Sequence, residues 1–423
     1  MRCLFLLFLV PLFALGQYLP ICDNDSLSKA EREILAKYPF VQVQCNQFQF
    51  FGPESPNWMH LNKELSAMIQ TGQGKLNFYH IGGSHLQADI YSHDFRTFLQ
   101  SHWPGLSGER GLVFPFNLAH TNNPSNYDFS SPNTWKGYRS VSQRPEDFDY
   151  GLSGAAITCT DSLIVINFKH LRTLVKPPFD RLRIYHNTGQ FPYDLNFGDQ
   201  ELLVTNVEQH LDLGYTEIQF SDHLDSLDLL FAKNCSEAFS LELFGFEFLN
   251  DLPGITYTAI GINGASLLTY LANANFSRDL QLREPDLFIF SVGTNDAHCS
   301  YDAFDPMVYK RNLEKMIQQV LKSNPNCAIL LTVPNDDYYM RKYPNRNTER
   351  QREVIYQLAA KYQMAVWDLY GIMGELGSSK TWKNEGLMQA DYVHFTGVGY
   401  HLKGTLLIEA FQKNLSGLQN LRN

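Results

Sequence analysis

The 423-residue sequence predicts an α/β protein with two parts, a three-layer α/β/α domain and an antiparallel β-sandwich inserted into it. Two observations carry this prediction. Apolar strands alternate with helical patterns in both terminal parts of the chain, which is typical of a parallel sheet covered by helices on both faces. Between them, short β-rich runs are separated by turn residues at intervals of about ten to twenty positions, which is typical of a sandwich.

The first strand-and-helix unit lies near residue 80. Lys75 to Ile81 forms an apolar run bounded by glycines and predicts a strand, and apolar residues recur at helical spacing from His85 to Leu99. Ser84, which follows Gly82-Gly83, is therefore expected on a strand-to-helix turn.

The same alternation returns after residue 252. We expect strands at 255–260, 286–292, 327–333 and 364–369, and helices from about Gly264 and at 306–321, 348–362 and 397–414. Two earlier helices, at 27–37 and near 61–70, are expected to pack on the sheet.

The apolar runs of the β-rich region are shorter than those in the rest of the chain. Its predicted strands are 156–160, 163–168, 181–186, 202–207, 216–220, 227–231 and 241–248. We therefore divide the chain into a discontinuous α/β domain, residues 17–112 and 252–423, and an insert, residues 113–251. Loops at the carboxyl ends of parallel strands tolerate such additions.

Composition excludes several classes of function. The chain has 34 basic and 44 acidic residues and a formal net charge of −10, which argues against nucleic acid or an anionic membrane as the main partner. No Cys/His spacing suggests zinc, and we expect neither a metal nor an organic cofactor. No stretch after the N-terminus approaches the roughly 18 apolar residues that span a bilayer, so no integral membrane anchor is expected.

The N-terminus has the pattern of an export signal. Arg2 supplies the positive charge, Cys3 to Leu15 the apolar run, and Ala14-Leu15-Gly16 a small-x-small cleavage site, so residues 1–16 are predicted to be removed and the mature chain to begin near Gln17. The protein would then be periplasmic or extracellular. An uncleaved N-terminal anchor is the alternative.

Removal of the signal leaves six cysteines, which allow up to three disulfides in an exported protein. The first pairings to consider are Cys22 with Cys45 and Cys159 with Cys235. The alternative is a set of buried free thiols, because the predicted cores do not need bridges.

Four segments carry candidate chemistry. Ser84 is left exposed by a glycine-rich turn and could act as a nucleophile, although Ser after Gly is also a common helix N-cap. Asp391 and His394 are three residues apart, so the carboxylate could orient the imidazole as a general base. Asn295 follows a strong strand and could donate to an oxyanion, or cap the strand in an Asx-turn. Gly264 could add a backbone N–H.

These blocks resemble the SGNH (GDSL-like) hydrolase superfamily, which carries Ser, Gly, Asn and His in this order, with Asp three residues before the His. The resemblance covers Lys75 to Arg110 and Ile255 to Gln412. It implies a flavodoxin-like domain, a catalytic triad of Ser84, Asp391 and His394, and an oxyanion hole of Ser84, Gly264 and Asn295.

One position departs from the family pattern, which usually reads Gly-Asp-Ser where this chain has Gly82-Gly83-Ser84. The missing carboxylate would organise hydrogen bonds around the nucleophile. His85 and Gln87 are expected to compensate for it or to contact substrate, and Asn122 to contact substrate.

The inserted β-region further resembles that of bacterial peptidoglycan O-acetylesterases, which carry a carbohydrate-binding-like module at this place. The resemblance implies a serine esterase that removes acetyl or other short acyl groups from a carbohydrate or cell-wall glycan. Two rivals remain: a glycan-binding protein with an inactive hydrolase domain, and a lipid-directed esterase or thioesterase.

Overall fold

The computed structural model describes residues 27–51, 55–141 and 148–420. The predicted signal segment, residues 1–16, lies outside this part of the chain. None of the helices in the described ranges is long and apolar enough to cross a membrane.

Helices and strands follow one another in the predicted order. The helices are α1 (Lys29–Lys37), α2 (Pro56–Thr71), α3 (Ser84–Gln87), α4 (Tyr91–Ser101), α5 (Leu267–Leu271), α6 (Phe276–Leu282), α7 (Thr294–Ala297), α8 (Pro306–Ser323), α9 (Asn347–Tyr362), α10 (Leu369–Met373), α11 (Ser378–Asn384) and α12 (Gly397–Asn420). The strands are β1 (Phe48–Phe50), β2 (Lys75–Gly82), β3 (Gly111–Val113), β4 (Tyr127–Ser130), β5 (Lys136–Arg139), β6 (Ala155–Cys159), β7 (Leu163–His170), β8 (Phe179–His186), β9 (Tyr193–Asn196), β10 (Val204–His210), β11 (Tyr215–Leu224), β12 (Ser226–Lys233), β13 (Leu241–Leu249), β14 (Gly254–Gly261), β15 (Leu287–Ser291), β16 (Ala328–Val333), β17 (Tyr338–Tyr339), β18 (Tyr343–Pro344) and β19 (Ala365–Asp368).

A six-stranded sheet forms the centre of the α/β domain, in the order β1-β19-β16-β15-β2-β14. Its strands run parallel except β1, which pairs antiparallel with β19 at one edge. The predicted α/β class with a parallel sheet is confirmed. The antiparallel edge strand was not expected, because three residues are too few to show a strand period.

Alternate residues of each strand fill two separate cores. Phe78 of β2 packs with α2, α4 and α12 on one face of the sheet, and Tyr79 and Ile81 pack with α5, α8 and α9 on the other. This period of two explains why the strand reads as an almost continuous apolar run in the sequence, since both faces are covered.

The β-rich region lies between α4 and β14 in the chain and forms two antiparallel sheets. One has the order β10-β11-β8-β13-β6-β5, with β3 also paired to β13, and the other has the order β4-β7-β12-β9. Their facing side chains, such as Ile157, Phe168 and Phe246, form a third buried core. The division of the chain at residues 112 and 251 stays a prediction.

Buried charges join the β-rich region to the α/β domain. The Glu109 carboxylate accepts hydrogen bonds from Lys75 Nζ at 2.7 Å and from the Asn250 N–H at 2.8 Å, and it pairs with Arg283 at 2.6 Å. Arg283 also reaches Glu247 of β13 at 3.4 Å. Because each buried charge has an opposite partner, the interface avoids the cost of an unpaired ion.

The single helix predicted from His85 to Leu99 is wrong in one respect, because it is broken at residues 88–90. Asp89 adopts a left-handed backbone with φ +45°, which ends α3 before α4 begins. Its carboxylate accepts hydrogen bonds from Ser92 at 2.5 Å and from Arg96 at 3.0 Å. Helical periodicity in the sequence does not report such a one-residue break.

Cys159 and Cys235 are free thiols, so the predicted bridge between them is absent and the alternative of free thiols holds here. Cys159 ends β6 and is buried, whereas Cys235 follows β12 of the other sheet. Cys45 is disulfide-bonded. Its predicted partner, Cys22, lies outside the described residues.

Replacing Asp89→Asn should destabilise the protein by about 3–5 kcal/mol at pH 7, because Arg96 and Arg110 would be left as buried, uncompensated charges. Burial by itself raises the pKa of Asp89, but the two guanidinium groups hold it well below its usual value of 3.8. The ionised carboxylate therefore stabilises the fold above about pH 4, and this contribution is lost as the pH falls through the lowered pKa.

Urea unfolding at pH 7 and pH 3 measures the loss of stability and its pH dependence. The difference in free energy of unfolding between wild type and Asp89→Asn should be smaller at pH 3. Glu33→Gln, which removes the exposed pair of Lys29 and Glu33, is the control and should leave the free energy of unfolding nearly unchanged. An equal loss of unfolding free energy in Asp89→Asn and Glu33→Gln would contradict the proposed contribution of Asp89 to stability.

Candidate active site

The carboxyl ends of three neighbouring strands lie side by side at one edge of the central sheet. Gly82, at the end of β2, pairs with Gly261 at the end of β14 and with Ser291 at the end of β15. The segments that follow these strands carry Ser84, Gly264 and Asn295. The parallel register therefore places three of the predicted site residues at the same edge.

Ser84, His394 and Asp391 form a chain of hydrogen bonds. His394 Nδ1 lies 2.8 Å from Asp391 Oδ2, and Ser84 Oγ lies 2.8 Å from His394 Nε2. A carboxylate only accepts, so Nδ1 carries the proton, and Nε2 is left to accept from the Ser84 hydroxyl. This arrangement can remove the proton from the hydroxyl when the oxygen attacks a carbonyl carbon.

The turn of residues 391–394 holds the carboxylate in place. Asp391 Oδ1 accepts from the N–H groups of Val393 at 2.9 Å and His394 at 3.0 Å, and Tyr392, which follows Asp391, has a left-handed φ of +58°. Partial burial raises the pKa of Asp391, but the hydrogen bonds from His394 and Val393 outweigh it and lower the pKa below its usual value. The carboxylate is therefore ionised at neutral pH, as the pair requires.

Gly264 and Asn295 lie on the loops that follow β14 and β15. Gly264 has a left-handed φ of +86°, and a Cβ atom there would meet nothing within 4 Å. Asn295 Nδ2 donates to the carbonyl of Ala265 at 2.9 Å, which uses one of its two amide hydrogens and ties the two loops together. Both residues line the same cleft as Ser84 and His394.

Two neighbours brace the Asn295 loop. Asp296 accepts from the Leu267 N–H at 3.1 Å, and burial raises the pKa of its carboxyl to about 7. Gly293, with φ +147°, is enclosed by Pro334, Tyr309 and Gln351, so a side chain there would be both strained and crowded. These contacts define where the amide of Asn295 stands.

The cleft has a volume of about 640 Å³ and a mixed lining, in which polar groups lie beside apolar side chains such as Ile90 and Phe395. Among the described residues that line it are amides and hydroxyls from separate loops, and no Asp, Glu, Lys or Arg. They include Ser84, Asn122, Asn123, Ser125, Asn263, Gly264, Thr294, Asn295, Gln389, His394 and Tyr400. Such a surface suits an uncharged ligand rich in hydrogen-bonding groups.

The three residues expected to contact substrate have different positions. Asn122 is exposed and lines the cleft. His85 and Gln87 do not line it: His85 packs against His394 with Nδ1 3.0 Å from the Tyr400 hydroxyl, and Gln87 is 1% exposed. These positions favour the alternative that they support the nucleophile loop. Helical geometry turns their side chains inward, which sequence spacing alone could not show.

A buried histidine beneath the site was not predicted from the sequence. His80 of β2 lies beneath the strand ends, with Nδ1 2.6 Å from the Tyr257 hydroxyl and Nε2 2.6 Å from Ser291 Oγ. Burial, and then the charge of Lys403, holds the pKa of His80 well below its usual value, so the ring is neutral. A histidine inside an apolar strand is a recognisable signal for such a buried network.

Comparison with known proteins agrees with this geometry. Residues 243–402 match the family model of the GDSL-like lipase/acylhydrolase family, which is less than half of the chain. No curated protein matches the sequence.

Solved structures extend the likeness of the fold. A peptidoglycan O-acetylesterase shares 22% identity and superposes with a TM-score of 0.71 over 88% of this chain and 99% of its own. A lipase/acylhydrolase from Enterococcus faecalis, at 24% identity, covers 37% of this chain and 75% of its own with a TM-score of 0.30. The first likeness includes the β-rich region and shows the fold. The second superposition is too poor to support a conclusion.

The family match identifies a carboxylic ester hydrolase. The likeness to the GDSL-like lipase/acylhydrolase family extends over residues 243–402, and the resemblance inferred from the sequence blocks is confirmed.

A substitution at Gly83 tests whether the position of the Asn295 amide matters for the reaction. A Cβ atom at Gly83 would lie 3.1 Å from Asn295 Nδ2, which is closer than most such contacts. Gly83→Ala should therefore displace the amide and lower kcat for a simple ester about tenfold, since small displacements of catalytic groups are costly. Because Asn295 is exposed and can move, the melting temperature should change little.

Gly397→Ala is the matched control, because Gly397 also lines the cleft but a Cβ there meets open space. Esterase kinetics and thermal melting of both variants provide the measurement. Wild-type kcat in Gly83→Ala would show that the position of Asn295 is unimportant for the reaction.

Proposed function

We propose that this protein is a serine esterase that removes acetyl, or other short acyl groups, from a carbohydrate or cell-wall glycan. The observation that carries the proposal is the chain Ser84–His394–Asp391, with both heavy-atom distances at 2.8 Å, opening on the same cleft as Gly264 and Asn295. Ser84 and His394 are 310 positions apart in the sequence, and Asp391 contacts the imidazole from three residues away.

The proposed reaction has two stages. Ser84 Oγ attacks the ester carbonyl while His394 Nε2 takes its proton, and Asp391 stabilises the imidazolium that forms. The oxyanion is held by the N–H groups of Ser84 and Gly264 and by the amide of Asn295. His394 then protonates the leaving alcohol, and water repeats the attack on the acyl-enzyme to release the acid.

The form of the cleft supports a glycan as the alcohol. The amides and hydroxyls of its lining, without charged side chains in the described set, can bind the neutral hydroxyl groups of a sugar. The fold shared with a peptidoglycan O-acetylesterase along 88% of the chain supports the same substrate class. Export through the predicted signal, residues 1–16, would bring the enzyme to such polymers.

Ser84→Ala should abolish acetate release from p-nitrophenyl acetate and from acetylated oligosaccharides, and Asp391→Asn should lower kcat on the order of 10³-fold, because the imidazole loses its orienting partner. Both variants should keep the wild-type melting temperature. Asp94→Asn is the matched control: the pair of Asp94 and His401 has nearly the same Nδ1–Oδ2 distance, 2.7 Å, but lies outside the cleft.

A series of p-nitrophenyl esters from acetate to octanoate completes the experiment, and the rate should fall with chain length. A preference for octanoate would instead favour a lipid-directed esterase. Sugar binding without turnover by the wild-type protein would favour a glycan-binding protein with an inactive hydrolase domain, and either result would overturn the proposal.

A further inference from the structure

The buried side chain of Gln87 joins two loops that line the cleft. Its Oε1 accepts from the Asn263 N–H at 2.6 Å, and its Nε2 donates to the carbonyl of Asn122 at 2.8 Å and to Thr121 Oγ1 at 3.3 Å. One carboxamide thus bridges the loop that carries Gly264 and the first loop of the β-rich region. Gln87 itself is 1% exposed and does not line the cleft.

The backbone brings Gln87 to this position. A Cβ atom on Gly261 would lie 2.1 Å from the Gln87 N, so the end of β14 lies directly against α3. Residues 262–264 leave the sheet at that contact. Ile262 and Ala265 are buried in the core, and between them a Cβ atom on Gly264, whose φ is +86°, would meet nothing within 4 Å. The hydrogen bond from the Asn263 N–H to Gln87 restrains this exposed part of the loop.

The other loop, residues 121–126, forms a wall of the cleft. Asn122 and Ser125 line the cleft and are exposed. Asn126, which is buried, anchors the far end of the loop: its Nδ2 donates to the Asp89 carboxylate at 2.9 Å, and its Oδ1 accepts from Arg110 at 2.9 Å. We name residues 121–126 the wall loop. It is held at one end by Asn126 and at the other by Gln87.

We propose that Gln87 is a positioning residue that couples the wall loop of the β-rich region to the loop of Gly264, so that the insert helps to hold an oxyanion donor in place. The inference rests on the proposed function for the role of the Gly264 N–H. Through this coupling the β-rich region takes part in the chemistry as well as in binding, with Asn122 facing the sugar from the wall loop.

Gln87→Met tests the coupling, because methionine has a similar volume and removes all three side-chain hydrogen bonds. It should lower kcat for p-nitrophenyl acetate about tenfold with KM changed less than twofold, since the donor acts on the transition state of any ester.

Gln100→Met is the matched control. Gln100 is 4% exposed, and its Nε2 donates to the carbonyls of Glu109 at 2.7 Å and Ile255 at 2.9 Å, at the opposite end of β14 from the cleft. It should lose thermal stability to a similar extent but keep kcat. An equal loss of kcat in Gln100→Met, or wild-type kcat in Gln87→Met, would overturn the proposal.

Amide hydrogen exchange separates this inference from the proposed function, because it needs no turnover. In Gln87→Met, peptides covering residues 118–126 and 260–268 should both exchange faster than in wild type, and neither should change in Gln100→Met. The isosteric Gln87→Glu, which keeps an acceptor for the Asn263 N–H, should speed exchange mainly in 118–126. Unchanged exchange in both loops of Gln87→Met would overturn the coupling, whereas an inactive wild type would overturn the proposed function alone.

Discussion

Three strands end level with one another at the centre of the six-stranded sheet, and the candidate site depends on that register. Gly82 stands opposite both Gly261 and Ser291, so the segments that follow β2, β14 and β15 begin at the same height. A shift of one residue in either pairing would move a loop by about 3.3 Å and turn its side chains to the other face. The distance of 2.8 Å between Ser84 and His394 therefore reflects the packing of the whole sheet.

The β-rich region is attached to this sheet by charge as well as by apolar packing. At the interface, Arg283 forms ion pairs with Glu109 and Glu247. Next to the site, Asp89 forms ion pairs with Arg96 and Arg110. Buried ion pairs are sensitive to geometry, because each partner pays a desolvation cost that a misaligned contact does not recover. Such pairs fix the orientation of the insert, so its first loop can serve as a dependable wall of the cleft.

Much of the fold was predictable from the sequence because its strands and helices obey simple periods. The strands β2, β14, β15, β16 and β19 and the long helices follow the expected positions closely. The break at Asp89, the antiparallel β1 and the free thiols of Cys159 and Cys235 were not predictable. Each depends on contacts with distant segments, and local periodicity carries no information about those.

The sequence by itself determined the class of the protein and the order of its chemical groups, since a nucleophile, an amide donor and an Asp/His pair each follow a recognisable strand or turn. Only the tertiary structure decided which polar residues face the cleft. His85 and Gln87 lie beside Ser84 in sequence yet point inward, while Asn122, from another region, lines the cleft. The physical reason is that a side chain's direction is set by its backbone and by the elements packed against it, and these become defined only when remote parts of the chain meet.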